Sequence, residues 1–456
     1  MERTTAKMPL RVKKHRLSPV KTIVLGYVVI ILTGALLLTL PISTRDWVWT
    51  SFGNALFTAT SATCVTGLVV FDTYTYWSVF GQIVIILLIQ IGGIGFMTLA
   101  ISALSLTKRK IGLRDRYTLQ ESVNAPQVGG IVKMTRFILL GTAIFEITGA
   151  VLLAFRFCPE YGLLKGIYFS VFHSVSAFCN AGFDLMGGGG KFSSLVAYEH
   201  DPLVNLVIIA LIVIGGLGFF VWRDIVINKG HFRKFRLHSK IVLVTTAALI
   251  LVPFLMMALF ESSNPKFTNL SPLEYTLGML FQTVTPRTAG FNTLDLTALS
   301  DASVLLIIFL MLVGGSPSST AGGMKTTTLA MMISGVFTAF RQRKTIESFH
   351  RRVGDDAHVQ VISVIAMYIL LFFLSGTLIC AFDGVTIKEA LFETASAIGT
   401  VGLTLGITPT LSDPSKLVLI ALMFFGRVGG LTLLLAFRDQ QGAVPSKYPV
   451  EKITIG

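Results

Sequence analysis

TATSATCVTGL (Thr58–Leu68), HSVSAFCNAGF (His173–Phe183), QTVTPRTAGFN (Gln282–Asn292) and ETASAIGTVGL (Glu393–Leu403) are four variants of one motif. Each carries a small or hydroxyl residue, then glycine, then an apolar residue. The glycines are Gly67, Gly182, Gly290 and Gly402, separated by 115, 108 and 112 residues, close to a quarter of the 456-residue chain each time. A fourfold repeat inside a hydrophobic chain points to a ring around one axis. In a membrane, an axis lined by loop backbone is how ion paths are built.

Composition places the chain in a bilayer. Hydrophobic residues make up 53% and charged residues only 14%, too little polar surface to cover a soluble core of this size. Eight apolar stretches reach the roughly 20 residues a crossing needs, at about 22–41, 77–104, 131–156, 202–226, 238–261, 300–340, 357–382 and 413–437. The first is too long for a signal peptide and no small-residue cleavage site follows it. Within each pair lies a shorter apolar segment: Trp49–Ala62, Leu164–Ala177, Pro272–Val284 and Ile387–Ala397. Segments of that length do not cross and are read as re-entrant half-helices. The unit is span, half-helix, glycine loop, span. It predicts an all-α membrane protein with a basic tail (1–20), repeats at 21–104, 131–226, 238–340 and 357–437, and a second tail (438–456).

Charge orients the units. Of the 38 Lys and Arg, 28 fall in residues 1–21, 105–136, 223–240, 341–352 and beyond 437. Arg45, Arg156, Lys165, Lys191, Lys266, Arg287, Lys388 and Lys416 lie on the other side. The positive-inside rule makes the first set cytoplasmic, with both termini inside and the glycine loops opening outward. Topology thereby accounts for most of the net charge of +14, and nucleic acid is not expected as a partner. Cys64 and Cys179 each stand three residues before a repeat glycine, Cys158 is outside and Cys380 is in a span. No disulfide framework or metal spacing follows.

The glycine loops suit a dehydrated cation. Such an ion needs several oxygens close around it, and backbone carbonyls supply them if successive residues turn their C=O groups to the axis. That demands backbone angles glycine adopts freely. Four loops give a ring of four carbonyls per layer. Each half-helix ends at its loop, with its partially negative C-terminus towards the centre.

On these motifs the chain resembles the Trk/Ktr/HKT potassium transporter superfamily, and within it is most similar to KtrB-type membrane subunits of bacterial Ktr potassium uptake systems. The resemblance covers about residue 20 to the C-terminus. It implies four M1–P-loop–M2 repeats around one central pore, with eight transmembrane spans and four re-entrant pore helices. It also implies a homodimer in the plasma membrane, with one pore per protomer. The implied selectivity filter comprises Thr63, Cys64, Val65, Thr66 and Gly67; Phe178, Cys179, Asn180, Ala181 and Gly182; Arg287, Thr288, Ala289 and Gly290; and Gly399, Thr400, Val401 and Gly402. K+ would be held at the four glycines. Plant relatives with serine at the first of them favour Na+, so Gly67 argues for K+. Only the glycine repeats strictly, which implies looser selectivity than in channels with a T-V-G-Y-G loop.

A second element is VGGSPSSTAGGMKTTT, Val313–Thr328, inside the sixth apolar stretch. Pro317 opposes helix continuation, and Gly314, Gly315, Gly322 and Gly323 permit non-helical backbone. Unpaired backbone cannot face lipid, so the break must face protein or water. It follows Gly290 by 24 residues, which places it below the filter. The resemblance makes it an intramembrane gate at 313–326, comprising Gly314, Gly315, Ser316, Pro317, Ser318, Ser319, Thr320, Ala321, Gly322 and Gly323, with Lys325 and Arg427. IGGIGF (Ile91–Phe96) and IGGLGFF (Ile214–Phe220) are read as close-packing sites. Arg427, in GRVGG (Gly426–Gly430), lies at membrane depth, where arginine is costly. It either pairs structurally or sits at the gate loop; Lys325 either joins it or reaches the cytoplasmic side.

An alternative is a secondary symporter coupling K+ to Na+ or H+. Such proteins keep acids near the midplane, and here Glu146 is the clearest. An enzyme is not expected: there is no phosphate loop, metal cluster or nucleophile with a base. The chain starts with a basic tail and its first M1, whereas Trk-type relatives carry extra N-terminal spans. The resemblance also implies a cytosolic RCK-type partner, a KtrA-like octameric ring that binds ATP or ADP, docking on the basic inner loops around Arg233–Arg236 and Arg341–Lys344.

Overall fold

The computed structural model describes residues 18–99, 117, 118, 120, 121, 131–268, 270–343, 345–354 and 357–430. The tails at 1–17 and 438–456, most of the basic loop 105–130, the span ends at 100–104 and 431–437, and Lys344 lie outside the described residues.

Helix starts follow from local chemistry. Ser18, Ser78, Asp201 and Ser300 each accept a hydrogen bond from a backbone N–H of the first turn of an apolar helix, satisfying donors the helix itself leaves free. Ser271 with Glu274, and Thr386 with Glu389, form full capping boxes on two half-helices.

Repeat 1 comprises α1 (Pro19–Thr39), α2 (Phe52–Thr63) and α3 (Val79–Ile94). Repeat 2 has α4 (Ile131–Tyr161), α5 (Leu163–Phe178), α6 (Pro202–Leu217) and α7 (Phe219–Ile227). Repeat 3 has α8 (Leu237–Glu261), α9 (Pro272–Val284), α10 (Asp301–Leu312) and α11 (Thr326–Phe340). Repeat 4 has α12 (Ala357–Asp383), α13 (Ile387–Gly399) and α14 (Asp413–Val428). A two-stranded hairpin pairs Glu347 with Arg352.

The two kinds of long helix differ. The first helices of the repeats, α1, α4, α8 and α12, are 21 to 31 residues long and apolar, long enough to cross a bilayer. Their outer faces expose Leu36, Ile147, Leu259 and Ile362, a surface suited to lipid and not to water. The half-helices α2, α5, α9 and α13 are packed inside: Thr58–Thr63 and Phe392–Gly399 are buried throughout.

The second spans are not continuous: the break expected in the sixth stretch is present, and the other three also stop short, which the sequence reading did not expect. Helices α3, α6 and α14 have 16 residues and α10 has 12, only about 24 and 18 Å at 1.5 Å per residue. Three of them stop at Gly95, Gly218 and Gly429, with φ of 88°, 96° and 88°, angles that a side chain with a Cβ rarely adopts. After Gly218, α7 turns 92° away from α6. In repeat 3 the break widens into the segment from Val313 to Lys325.

Candidate ion pathway

The glycine loops form a closed ring. A Cβ built on Gly182 would stand 2.6 Å from the Ala289 carbonyl oxygen, with Gly290 Cα at 2.8 Å. At Gly67 it would meet the Ala181 oxygen, at Gly290 the Val401 oxygen and at Gly402 the Thr66 oxygen, each closer still. The order 67→181, 182→289, 290→401, 402→66 passes through all four repeats and returns to the first. One axis therefore runs past the carbonyls of Thr66, Ala181, Ala289 and Val401, with no room for a side chain at the glycines.

The backbone repeats as closely. Two residues before each glycine, Val65, Asn180, Thr288 and Thr400 have φ of 58°, 59°, 69° and 53°. The glycines have φ of 91°, 69°, 80° and 97°. Three of those four non-glycine residues are β-branched, for which this region is strained by about 1–3 kcal/mol each. The surroundings supply the compensation. The N–H groups of Thr66, Ala181, Ala289 and Val401 donate to the carbonyls of Ser61, Ser176, Thr285 and Ser396, at 2.8, 2.8, 2.9 and 2.8 Å.

The side chains of those four acceptors hold the strands as well. Ser61 Oγ and Ser396 Oγ accept from the N–H of Gly67 and Gly402 at 3.1 and 3.0 Å. Ser176 Oγ and Thr285 Oγ1 donate to the carbonyls of Phe183 and Phe291 at 2.7 and 2.5 Å. The sequence reading missed this set, although a hydroxyl at the fourth place of all four motifs was there to be seen. The first place is filled differently each time. His173 Nε2 accepts from Leu185 N–H at 3.3 Å, and Glu393 accepts from Thr404 and Thr408.

The buried hydroxyls of Thr63, Thr66 and Thr400 have no hydrogen-bond partner among the described residues, leaving oxygens free in the ring and its lower edge. The half-helices α2, α5 and α13 end at Thr63, Phe178 and Gly399, directly where the strands begin, and α9 ends at Val284. Their partially negative ends thus face the same point. Beyond the ring Asp184 is half-buried. Burial pushes its carboxyl up to about 7 against the Met186 N–H that favours the charged form, and Asp72 adds to the rise.

The loop after α10 lies against the lower edge of the ring. Thr320 Oγ1 donates to the Phe178 carbonyl at 3.1 Å and to Asn180 Oδ1 at 3.2 Å. A Cβ on Gly322 would strike the Thr400 side chain, and one on Gly323 would stand 2.9 Å from the Gly399 oxygen. The loop therefore touches the strands of both repeat 2 and repeat 4. Ser316 and Thr320 N–H donate to Gly216 and Gly215 at 3.0 and 3.3 Å, Phe219 N–H donates to Ser318 at 2.7 Å, and Gly323 N–H donates to Gly426 at 3.2 Å. The breaks in α6 and α14 are what expose those partners.

Two cations hold this loop. Lys325 Nζ donates to the carbonyls of Ala321 and Gly322 at 2.8 and 3.3 Å. Arg427 donates to Thr320 and Gly92 and, at 3.0 Å, to Gly93, so it ties the loop to α3 of repeat 1. Both find backbone carbonyls and not acids. A cavity of about 400 Å³ borders the loop, lined among others by Tyr27, Phe219, Pro317, Lys325, Gln360 and Arg427. Arg287 departs from the ring: its side chain is buried behind the repeat 3 strand, with Nη2 3.5 Å from Thr246 Oγ1.

A model of the family described as TrkH, cation transport protein, matches residues 14–446. The chain belongs to the TrkH family of cation transport proteins. Among curated members, the potassium/sodium uptake protein NtpJ of Enterococcus hirae is 40% identical over 98% of this chain and 99% of its own length. The Ktr system potassium uptake protein B of Bacillus subtilis is 38% identical over 98% of both. In fold, the chain is similar to the crystal structure of the potassium transporter TrkH from Vibrio parahaemolyticus, with a TM-score of 0.72, 21% identity and coverage of 95% of this chain and 87% of that one. Proteins of the TrkH family are transporters and not enzymes, and this one is a multi-pass membrane protein.

Proposed function

We propose that this protein carries K+ into the cell along the axis of the four-loop ring, in the manner of a channel. The observation that carries the reading is the closed order of glycines against carbonyls, 67→181, 182→289, 290→401, 402→66. An ion on that axis meets oxygens from every repeat at one level, which replaces its hydration shell. K+ would sit at the level of Gly67, Gly182, Gly290 and Gly402. The names of the two uptake proteins support K+ as cargo, and the first adds Na+.

The segment 313–325 is the proposed gate. It crosses the axis below the ring, and the glycines and Pro317 within it keep it out of a helix, so a modest shift of a few hydrogen bonds opens the path. Lys325 and Arg427 hold the closed position. The alternative, a symporter coupling K+ to Na+ or H+, would use acids at membrane depth. These are few, and the clearest is Glu146, hydrogen-bonded to Gln90 at 3.0 Å. A four-unit ring also differs from the two-half inverted repeat of such proteins.

The remaining features of the proposal are a homodimer with a complete pore in each protomer, a plasma-membrane location and both termini in the cytoplasm. One chain supplies all four loops, so the dimer is not needed to close the pore. A cytosolic ring of the RCK type, binding ATP or ADP, would dock on the basic inner face near Arg233, Arg236, Arg341 and Arg343. Charge reversal there should abolish co-purification with the ring protein; undiminished binding moves the docking surface elsewhere.

The test of transport uses the purified protein in liposomes under a K+ gradient, with and without Na+ and a proton gradient. Flux that follows the K+ gradient alone is expected. Flux that requires a second ion gradient overturns the channel reading.

A further inference from the structure

One filter strand is backed by a buried polar network. Glu146 lies on α4, the first helix of repeat 2. Its Oε2 accepts from Gln90 Nε2 at 3.0 Å, and Gln90 lies on α3 of repeat 1. The Cys179 thiol stands 3.5 Å from Gln90 Oε1 and 3.9 Å from Glu146 Oε1. The Glu146 carbonyl also accepts from Ser174 Oγ of α5 at 2.6 Å. Gly93, one turn after Gln90, makes room for this: a Cβ there would stand 2.6 Å from Cys179 Sγ. Cys179 is the second residue of the repeat 2 strand, and its neighbour Asn180 bonds the gate loop through Thr320.

Among the described residues, the other repeats have nothing like it at the equivalent position. Cys64 is buried in an apolar cluster with Phe57, Leu68 and Ile398. Arg287 reaches Thr246. Gly399 has no side chain and packs on the Met311 carbonyl. Among the described residues, Glu146 forms no ion pair. A carboxyl at membrane depth is costly and is retained where it does something.

We infer that Glu146 is a positioning residue for the repeat 2 strand and sets the ion preference of that quarter of the ring. It fixes Gln90, and the two together fix the side chain and hence the backbone direction of Cys179. The carbonyls of Cys179 and Asn180 can then be aimed only as this network allows. A shift of a few tenths of an ångström in one quadrant changes the fit for K+ relative to the smaller Na+. This rests on the filter reading proposed above.

The experiment compares E146L, E146Q, Q90L and G182S in proteoliposomes, reading the K+/Na+ permeability ratio from the reversal potential. E146L and Q90L each remove one partner and leave a buried polar group unpaired. We expect each to lower the ratio about tenfold, and the double variant E146L/Q90L to lower it no further. E146Q keeps an acceptor for Gln90 and the same volume, so it should stay within about twofold of the parent, a rescue that loss of folding would not give. If E146L does not fold, Q90L decides in its place. A lowered ratio in G182S with native ratios in E146L or Q90L overturns the role of Glu146 and leaves the filter intact. Native ratios in all variants, G182S included, overturn the filter and this inference with it. An E146Q that loses only flux driven by a Na+ or proton gradient makes Glu146 a coupling site and overturns the positioning role.

Discussion

The ring and the layer just below it are built by opposite rules. In the ring all four repeats do the same thing: a left-handed residue two places before the glycine, the glycine itself, and one hydroxyl holding the strand. One turn lower, three repeats break at a single glycine and the fourth inserts the loop from Val313 to Lys325. An ion on the axis is coordinated by all sides at once, so every repeat must conform. Blocking a path needs one obstacle, and a second copy would only crowd it. On the proposed function, symmetry marks where the ion is held, and its loss marks where passage is controlled.

The largest effect should come from breaking the symmetric layer. Gly→Ser at any ring glycine adds a Cβ against a carbonyl of the next repeat and forces a positive φ on a residue that resists it. The built Cβ is closest at Gly402 and farthest at Gly182. The K+/Na+ ratio in proteoliposomes should therefore fall most for G402S, by about a hundredfold if ~3 kcal/mol of selectivity is lost. It should fall least for G182S. Four serines with unchanged ratios would end the assignment of the filter.

The lower layer should respond in rate and not in selectivity. Arg427→Gln removes the donors to Thr320, Gly92 and Gly93. Each charge-assisted bond to a loop carbonyl contributes about 1.5–3 kcal/mol, and part of that holds the loop across the axis. K+ flux through the isolated protein should rise about three- to tenfold at an unchanged K+/Na+ ratio. Deletions within Gly314–Gly323 should act the same way. A changed ratio at constant flux would put Arg427 in the ring's chemistry and dissolve the division between the layers.

How much of this was legible depends on whether side chains or backbone do the work. The four motifs and their half-helices stand in the sequence because turns that need glycine leave it there. The left-handed Val65, Thr288 and Thr400 do not, since nothing in a β-branched residue announces a positive φ; the ring imposes it. The IGGIG runs were half legible. Gly92 and Gly215 lie where a Cβ would collide with the carbonyls of Thr63 and Phe178, which is close packing as read. Gly95 and Gly218 instead end their helices, and a spacing of three residues does not separate those two uses. Arg427 and Lys325 could be placed at membrane depth, but their partners are carbonyls, which any residue carries. That is why a search for a partner acid finds none.

The smallest effect tests the one place where the outer edge of the ring is itself uneven. Two residues past the glycine stand Val69, Asp184, Asn292 and Thr404, so repeat 2 alone carries a carboxyl there. Burial raises its pKa to about 7, with Met186 N–H opposing and Asp72 reinforcing the rise. It is mostly charged at pH 8 and mostly neutral at pH 6. The charged form adds a negative potential where cations enter and the neutral form does not. Raising the external pH from 6 to 8 should therefore increase inward K+ flux by less than about threefold, because a half-buried charge is partly screened. Asp184→Asn should flatten that profile at the level seen at pH 6, without moving the K+/Na+ ratio. A pH response that survives in D184N assigns the titration to another group. A ratio that changes with it would mean that the outer edge, uneven as it is, takes part in choosing the ion, and the rule that selection requires all four repeats to conform would fail there first.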